Sequence, residues 1–206
     1  MYLPRPFSVK EETEIFDFIE KYPFATLISC FENQPWVSLI PLVLDRNRKT
    51  LYGHMSRANS HWKWIEKSSV ITVLFHGPHT YITPKWYVSG RDVPTWNYTV
   101  AQARGEVQLI EDFEGITQIL KNQTARFEVG GAQPWSFELP EDLSDPSLLV
   151  KAIVGFEIEI TELEAKFKLS QNRSAGDQEG IVNGLVRRAD AQSLAVRDLM
   201  KRDDLT

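Results

Sequence analysis

A series of short extended segments at hairpin spacing constrains the fold of this chain more than any other feature. The apolar runs 24–31 and 36–44 are joined by the short polar turn Glu32-Asn33-Gln34, which predicts a β-hairpin. Further runs at 50–54, 70–75, 100–110, 153–161 and 165–169 bring the expected number of strands to about seven, and residues 81–82 resume the extended pattern of the 70–75 run. No strand–helix–strand alternation links them, which argues against a doubly wound nucleotide fold. The sequence therefore predicts an α+β domain, mainly antiparallel β, built on a barrel.

Helix signals lie at the start, in the middle and at the end of the chain. Ser8 opens a capping box, which predicts a helix over residues 8–22. Asn59 is the expected N-cap of a short helix, and Asp112 is the expected N-cap of a longer one. Apolar spacing after residue 180 predicts two terminal helices separated near Ala189.

Glycine, proline and a second capping box mark the predicted breaks. Gly77-Pro78 is expected to end the strand that begins near residue 70, and Pro41 is expected to bend its strand or place it at an edge. Gly130-Gly131 is expected to end the helix that starts at Asp112. The spacing of Thr161 and Glu164 predicts a helical turn before the last strand.

Length and composition indicate a single-domain cytoplasmic protein. The 206 residues are expected to form one domain over 1–206, with a helical appendage at 176–206. A net charge of −5 gives no general attraction for nucleic-acid phosphates. No apolar run approaches the ~18 residues of a membrane span, and the first residues lack an apolar signal segment. Cys30 is the single cysteine, which excludes an internal disulfide framework, and its apolar neighbours predict a buried thiol.

The segment 72–98 concentrates aromatic, histidine and proline residues between two apolar runs. Four large rings surround a loop that carries Gly90 and Pro94, namely Trp86, Tyr87, Trp96 and Tyr98. Long ordered loops are often functional, so this segment is a candidate ligand wall. The alternative is that the rings only fill one end of a β-domain, and periodicity does not separate the two interpretations.

The segment 54–61 joins a strand end to a predicted helix start. Helix-terminal amides, the Ser56 and Ser60 hydroxyls and the Arg57 guanidinium together have the chemistry of a phosphate site. The simpler interpretation is a capped turn with a solvated arginine. Similarly, the segment 168–173 either donates hydrogen bonds to a ligand or is a solvated loop.

The histidines do not form a metal-binding motif. His76 and His79 are three residues apart, but a zinc site needs three or four ligands in a firm spacing, and no cysteine pair or HExxH sequence is present. Ordinary hydrogen-bonded histidines are the simpler interpretation. The sequence also contains no nucleophile elbow, P-loop or dinucleotide fingerprint, which removes support for common hydrolase and NTPase mechanisms.

Five separated motifs resemble those of the PaiB-type proteins, a family named FMN-binding negative transcriptional regulators. They are GHxxRAN at 53–59, FHGPHTYITPKWY at 75–87, VPTWNY at 93–98, IVGFEIEI at 153–160 and KLSQNR at 168–173. The resemblance implies a split-barrel fold related to pyridoxamine-phosphate-oxidase-like flavoproteins. It also implies a homodimer that holds FMN at the subunit interface.

The resemblance carries over specific residues as expected FMN contacts. Those that match the phosphate-side motif are His54, Ser56, Arg57 and Asn59. Those that match the strand beside the flavin are Phe75, His76 and Gly77. Those expected to close the pocket, from the partner chain in the homodimer, are Trp96, Asn97, Tyr98, Gln171 and Arg173.

Three departures from the family pattern leave the chemistry open. The segment 39–42 lacks a histidine that the family commonly has there, Ser60-His61 replaces Pro-Gln, and Gln102 replaces a histidine. A histidine-dependent reaction is thereby put in doubt, while FMN-dependent oxidoreductase activity stays open. The alternatives are a transcriptional regulator that works without flavin chemistry and a haem-binding or haem-degrading split barrel. The acidic composition does not favour direct DNA binding.

Overall fold

Seven strands form one antiparallel sheet in the computed structural model, which describes residues 1–68, 70–90, 93–128, 135–138 and 147–201. The strands are β1 (Phe24–Phe31), β2 (Gln34–Pro41), β3 (Val43–Asp45), β4 (Thr50–Ser56), β5 (Ile71–Ile82), β6 (Thr95–Ile110) and β7 (Ile153–Lys168). Their order in the sheet is β2-β1-β5-β6-β7-β4-β3. The prediction of a mainly antiparallel α+β fold with about seven strands is confirmed.

Six α-helices flank the strands in the described part of the chain. They are α1 (Glu12–Lys21), α2 (His61–Ile65), α3 (Phe113–Phe127), α4 (Ser147–Lys151), α5 (Ala175–Arg188) and α6 (Ala191–Met200). The predicted cap of α3 is confirmed, because the Asp112 carboxylate accepts a hydrogen bond of 2.8 Å from the Gly115 amide. The break between the two terminal helices is also confirmed, with Ala189 in the left-handed conformation between them.

The predicted hairpin is present, with Phe31 paired to Gln34 across a two-residue turn. Glu32 and Asn33 both have positive φ, as in the hairpin turns that match the twist of two antiparallel strands. Strand β2 ends at Pro41, where a bend or an edge position was predicted, and β3 begins at Val43. Strand β2 is also the last strand at one edge of the sheet.

Both predicted capping boxes are wrong because backbone pairing replaces the local helix signal. Ser8 forms an isolated antiparallel bridge with Lys166, so α1 begins at Glu12. Residues 161–164 continue β7 without a helical turn, and the Thr161 hydroxyl donates to the Arg104 carbonyl at 3.3 Å. A capping box satisfies only a few backbone donors, whereas a long strand pairs along its whole length.

The prediction that Gly77-Pro78 ends a strand is also wrong, because β5 continues through both residues to Ile82. Gly77 is needed there for space, since a Cβ atom at this position would lie 2.6 Å from Cε2 of Phe18. Proline keeps an extended φ and lacks only the amide donor. The Pro78 carbonyl still accepts a hydrogen bond from the Thr99 hydroxyl at 3.4 Å.

The chain divides into two compact units, each with its own core. The first comprises residues 1–18, 76–101 and those from 164 onwards, and the second comprises 19–75 and 102–163. Phe18 and Phe167 pack in the first core with ring centroids 5.0 Å apart. Leu51, Phe75 and Phe156 are fully buried in the second. The single domain over 1–206 with its 176–206 appendage stays a prediction, and Gly130-Gly131 lie outside the described residues.

One face of the neighbouring strands β1, β2 and β5 carries apolar side chains at exposed or half-buried positions. We call it the apolar sheet face, and its members are Phe24, Ile28, Val37, Leu39 and Leu74. Val37 and Leu39 are 56% and 64% exposed on β2. The prediction of a buried Cys30 is wrong, because strand alternation directs this thiol to the same exposed side as Phe24 and Ile28.

Candidate functional site

The four residues predicted on the phosphate side lie together at the end of β4 and in the following turn of the second unit. His54 and Ser56 are the last outward-facing residues of β4, and Arg57 and Asn59 follow directly. The Asn59 amide donates to the Ser56 carbonyl at 2.9 Å, which closes the turn. The Ala58 amide donates to the Ser56 hydroxyl oxygen at 3.2 Å. The short helix α2 then begins at His61.

The Arg57 guanidinium has three protein partners. Nε donates to the Lys151 carbonyl at 3.0 Å, and Nη2 donates to the Ile153 carbonyl at 3.3 Å. Nη1 donates to a Glu111 carboxylate oxygen at 2.7 Å. The Trp62 ring lies beside the guanidinium, 5.6 Å from centroid to Cζ. The group is therefore held by backbone on two sides and by a carboxylate on the third.

A pocket of about 610 Å³ lies beside this arginine. Its lining combines three polar or charged groups with two apolar ones and the guanidinium, namely Glu111, Ser147, Lys151, Phe113, Val150 and Arg57. Sequence analysis missed Glu111, Ser147 and Lys151 as site residues. They come from the end of β6 and from α4, about 50 to 90 positions beyond the motif, and no local motif marks them.

His54 is joined to the long helix α3 through Gln123. Its Nδ1 donates to the Gln123 side-chain oxygen at 2.7 Å, and the Gln123 amide donates to the Pro41 carbonyl at 3.2 Å. Burial lowers the pKa of His54, and the hydrogen bond to Gln123 opposes that shift. His54 is therefore neutral near pH 7 and links three elements of the second unit.

Asn59 belongs to a buried polar network centred on His61. Its side-chain oxygen accepts from the His61 amide at 3.1 Å, and its side-chain nitrogen donates to the Ser38 hydroxyl at 2.9 Å. His61 is 1% exposed, with Nδ1 2.8 Å from the Ser38 hydroxyl and Nε2 2.9 Å from the Ser29 hydroxyl. Burial lowers the pKa of His61. Sequence analysis missed this network because its members are spread over four segments.

Phe75 and His76 are consecutive on β5 but have different environments. Phe75 is fully buried and pairs with Ala25 in the second unit, so its ring belongs to the core. His76 is exposed and begins the next segment of the first unit. Alternation along the strand thus separates two residues that the family motif groups together.

Three of the predicted residues, His76, Gly77 and Tyr98, line one pocket in the first unit. This His76 pocket has a volume of about 380 Å³ and is completed by His79, Thr99 and Val100. Trp96 lies next to it, with its ring centroid 6.3 Å from that of His79 and 6.0 Å from that of Tyr81. The HGPH sequence is the signal that could have added His79 to the candidate list.

The last three predicted residues have contacts that stabilise the chain around residues 167–173. Asn97 is fully buried and accepts from the Ser170 hydroxyl at 2.9 Å. Gln171 accepts from the Leu169 amide at 2.8 Å and donates to the Phe167 carbonyl at 2.6 Å. Arg173 lies over the Tyr87 ring, 4.8 Å from its centroid. None of these three is among the described residues that line the His76 pocket.

The described residues contain neither a candidate metal-binding cluster nor a candidate membrane-spanning helix. No cluster of three or more histidine, cysteine, aspartate or glutamate side chains there is arranged to hold a metal ion. Among the same residues, no helix combines the length and the hydropathy needed to cross a bilayer.

A known bacterial protein resembles this chain along nearly its whole length. It is the "Protease synthase and sporulation protein PAI 2" of Bacillus subtilis, which is 30% identical over 206 residues, 98% of this chain and 97% of that protein. The likeness therefore includes both units and every motif quoted above.

Two solved structures share the fold at low sequence identity. The FAD and heme binding protein from Mycobacterium smegmatis matches with a TM-score of 0.63 and 14% identity, over 86% of this chain and 80% of that one. The flavocytochrome Anf3 from Azotobacter vinelandii matches with a TM-score of 0.60 and 15% identity, over 78% and 69%. These likenesses show the split-barrel fold.

A family model decides the membership of the chain. The model described as "Putative FMN-binding domain" matches residues 1–162, which include the 54–59 turn and every described residue that lines the His76 pocket. The chain therefore belongs to this FMN-binding domain family, a group of split-barrel proteins whose cofactor is FMN.

Proposed function

We propose that Arg57 binds the phosphate of FMN and that the His76 pocket binds a flavin ring. Each assignment is supported by contacts within one unit. The observation that carries the proposal is the anchoring of the Arg57 guanidinium by two backbone carbonyls beside a pocket. An anchored guanidinium binds an anion without first losing its own rotamer freedom.

The donors at Arg57 fit a phosphate group. A guanidinium has five N–H donors, and three of them have acceptors among the described residues. The other two donors have no acceptor among the described residues and are available to a ligand. Among the described lining residues, Lys151 and Ser147 add a cation and a hydroxyl beside the carboxylate of Glu111. Phosphate recognition by a planar, fixed arginine is a common use of this side chain.

The His76 pocket fits a flat aromatic group. Its volume of about 380 Å³ is within the range of small-molecule sites, and its lining combines imidazole and phenol rings with a valine. When bound, FMN supplies the redox chemistry. The protein residues would orient the ring, exclude water on the Tyr98 and Val100 side, and donate hydrogen bonds from His76 and His79.

We propose that two copies of the chain associate through the apolar sheet face. Val37 and Leu39 are large apolar side chains exposed on adjacent outward positions of β2, with Phe24 and Ile28 beside them on β1. Contiguous exposed apolar surface is unfavourable in water and marks interaction sites. Pro35 and Pro41 lack amide donors, which disfavours edge-to-edge pairing of β2. Face-to-face packing of two identical surfaces is the remaining arrangement, as in a twofold dimer.

We also propose a reducing, cytoplasmic environment. Cys30 is a free thiol on the exposed side of β1. An accessible thiol persists where glutathione and thioredoxin keep cysteines reduced. Direct DNA binding is not part of the proposal, because the chain has a net charge of −5.

The phosphate assignment is tested with two flavins that differ only in the phosphate. Wild-type protein and the variant Arg57→Ala are titrated with FMN and with riboflavin, and binding is followed by flavin fluorescence. Because the Arg57 side chain is 37% exposed, its loss should weaken FMN binding by only about 1–2 kcal/mol, roughly 5- to 30-fold. Riboflavin affinity should not change.

Arg104→Ala is the matched control. Arg104 is also a half-exposed arginine of the second unit that pairs with a glutamate, Glu162, at 3.2 Å. Its loss should change neither affinity. Equal weakening of FMN and riboflavin by Arg57→Ala would remove the phosphate assignment. Visible spectra of the loaded protein separate flavin bands from the Soret band of haem.

A further inference from the structure

Glu111 occupies the edge of Arg57 that faces an incoming anion. Its carboxylate oxygen accepts from Nη1 of Arg57 at 2.7 Å, and both residues line the same pocket. We propose that Glu111 is an internal competitor for the FMN phosphate and thereby sets the affinity and the phosphate selectivity of the site. This inference rests on the proposed role of Arg57 and identifies a residue that no sequence motif marks.

The backbone places Glu111 at this position. Strand β6 ends at Ile110 and helix α3 begins at Phe113, so Glu111 lies in the two-residue junction between them. The other junction residue, Asp112, is fixed as the N-cap of α3. The neighbouring wall of the pocket comes from Phe113, the first residue of that helix. The carboxylate is therefore held next to Arg57 by the start of α3.

The Arg57–Glu111 ion pair is weak, whereas backbone hydrogen bonds fix the position of the Arg57 guanidinium. Glu111 is 51% exposed and Arg57 is 37% exposed, and ion pairs with this exposure are weak because water and salt screen them. When the carboxylate leaves, Nε and Nη2 of Arg57 keep their hydrogen bonds to the Lys151 and Ile153 carbonyls. An anion that displaces Glu111 would meet a guanidinium that is already oriented.

The competition selects ligands by charge. A phosphate monoester carries close to two negative charges at neutral pH, so it interacts with the guanidinium more strongly than a single carboxylate does. A neutral flavin such as riboflavin gains nothing from Arg57 and has no means of displacing Glu111. Glu111 would therefore lower the affinity for FMN somewhat and prevent weakly charged ligands from using the arginine.

The test removes or reverses the charge at position 111 and measures flavin dissociation constants at low salt. We expect Glu111→Gln to bind FMN roughly two- to five-fold more tightly, the factor that corresponds to the strength of an exposed ion pair. Glu111→Lys should bind FMN more tightly still, because it adds a cation. Riboflavin affinity should be the same in all variants, and the gain for FMN should shrink as salt is added.

The matched control is Glu162→Gln, which opens another half-exposed arginine–glutamate pair of this unit, that with Arg104. It should leave FMN affinity unchanged. When Glu111→Gln is added to Arg57→Ala, FMN affinity should not rise above that of Arg57→Ala alone, because Glu111 has no arginine to compete for in that background. A gain that persists in the double variant would overturn the inference.

The outcomes separate this inference from the proposal on which it rests. If Arg57→Ala weakens FMN binding selectively but Glu111→Gln has wild-type affinity, Glu111 is not a competitor and the phosphate assignment stands. Weaker FMN binding by Glu111→Gln would also overturn the inference, since it would make the carboxylate a support for Arg57. If Arg57→Ala has no effect on FMN, the phosphate assignment itself fails.

Discussion

Acidification should destabilise this protein through His61, whose hydrogen bonds fix it in the neutral form. The Asn59 side chain donates to the Ser38 hydroxyl oxygen, which leaves the hydroxyl hydrogen for Nδ1 of His61 at 2.8 Å. Nε2 then carries the ring hydrogen and donates to the Ser29 hydroxyl at 2.9 Å. A second proton on Nδ1 would face a hydroxyl that is donating, so protonation breaks the network.

The direction of the pH effect follows from the lowered pKa. Burial places the pKa of folded His61 below its ordinary value of 6.5, so the unfolded state binds more protons in acid. The stabilisation that neutral His61 contributes to the folded state is complete above about pH 6.5 and is lost as the pH falls below that value. When the pH falls from about 7.5 to 5.5, the free energy of unfolding decreases by up to about 1.4 kcal/mol for a histidine that stays neutral in the folded state. His54, whose pKa burial also lowers, acts in the same direction.

Chemical denaturation of wild type and His61→Gln at the two pH values isolates the His61 contribution. At the higher pH the variant should be about 1–3 kcal/mol less stable, because buried serine hydroxyls lose their partner. The difference should shrink by up to about 1.4 kcal/mol at the lower pH, because only wild type loses the His61 contribution. Ser29→Ala, which removes a bond but keeps the imidazole, should retain the wild-type pH dependence. A stability difference between wild type and His61→Gln that is the same at both pH values would refute the reasoning.

Two further predictions concern packing. Leu39→Asp should convert the proposed dimer to a monomer in light scattering, because it places a charge in the apolar sheet face. The control Val186→Asp, at an exposed position on α5, should leave the oligomeric state unchanged. A wild-type monomer would contradict the proposed dimer. Gly184→Ala should lower the free energy of unfolding by about 1–3 kcal/mol, because its Cβ atom would lie 2.6 Å from Cγ of Trp86. Gly176→Ala on the same helix, where the nearest atom is 3.9 Å away, should be tolerated.

Local signals predicted the elements whose ends are fixed by local chemistry. The Glu32-Asn33 turn needs only two residues with positive φ, and the cap of α3 needs only the Asp112 carboxylate. Both were read from the sequence. The break between α5 and α6 was found for the same reason, since Ala189 ends one helix and Asp190 caps the next.

Elements that depend on distant partners could not be predicted in this way. The capping box at Ser8 is satisfied locally in a helix, but Lys166, more than 150 positions away, pairs with its backbone instead. In the sequence, Gly77 indicates a strand end. The structure shows instead that its missing side chain leaves room for the ring of Phe18 beside a continuous strand. Short-range patterns contain no information on such contacts.

The residues of the candidate site were likewise predicted only in part. The structure places Arg57 in a turn after a strand, as the motif indicated. Of the four rings singled out in the segment 72–98, only Tyr98 is among the described residues that line the His76 pocket. The groups that surround Arg57 were not predictable, because Glu111 and Lys151 lie 54 and 94 positions further along the chain. A charged side chain can be recognised in a sequence, but its partner cannot.

The partners of the motif residues limit what the motif can do for a ligand. His54 uses its Nδ1 donor on Gln123, and Asn59 uses both ends of its amide on Ser38 and His61. These bonds stabilise the turn, so neither side chain can bind a phosphate without breaking a buried contact, which costs more than a new bond returns. Arg57 differs because its one displaceable partner is a half-exposed carboxylate. The proposed phosphate binding at this turn therefore depends mainly on the arginine, and the carboxylate next to it is where that binding would be tuned.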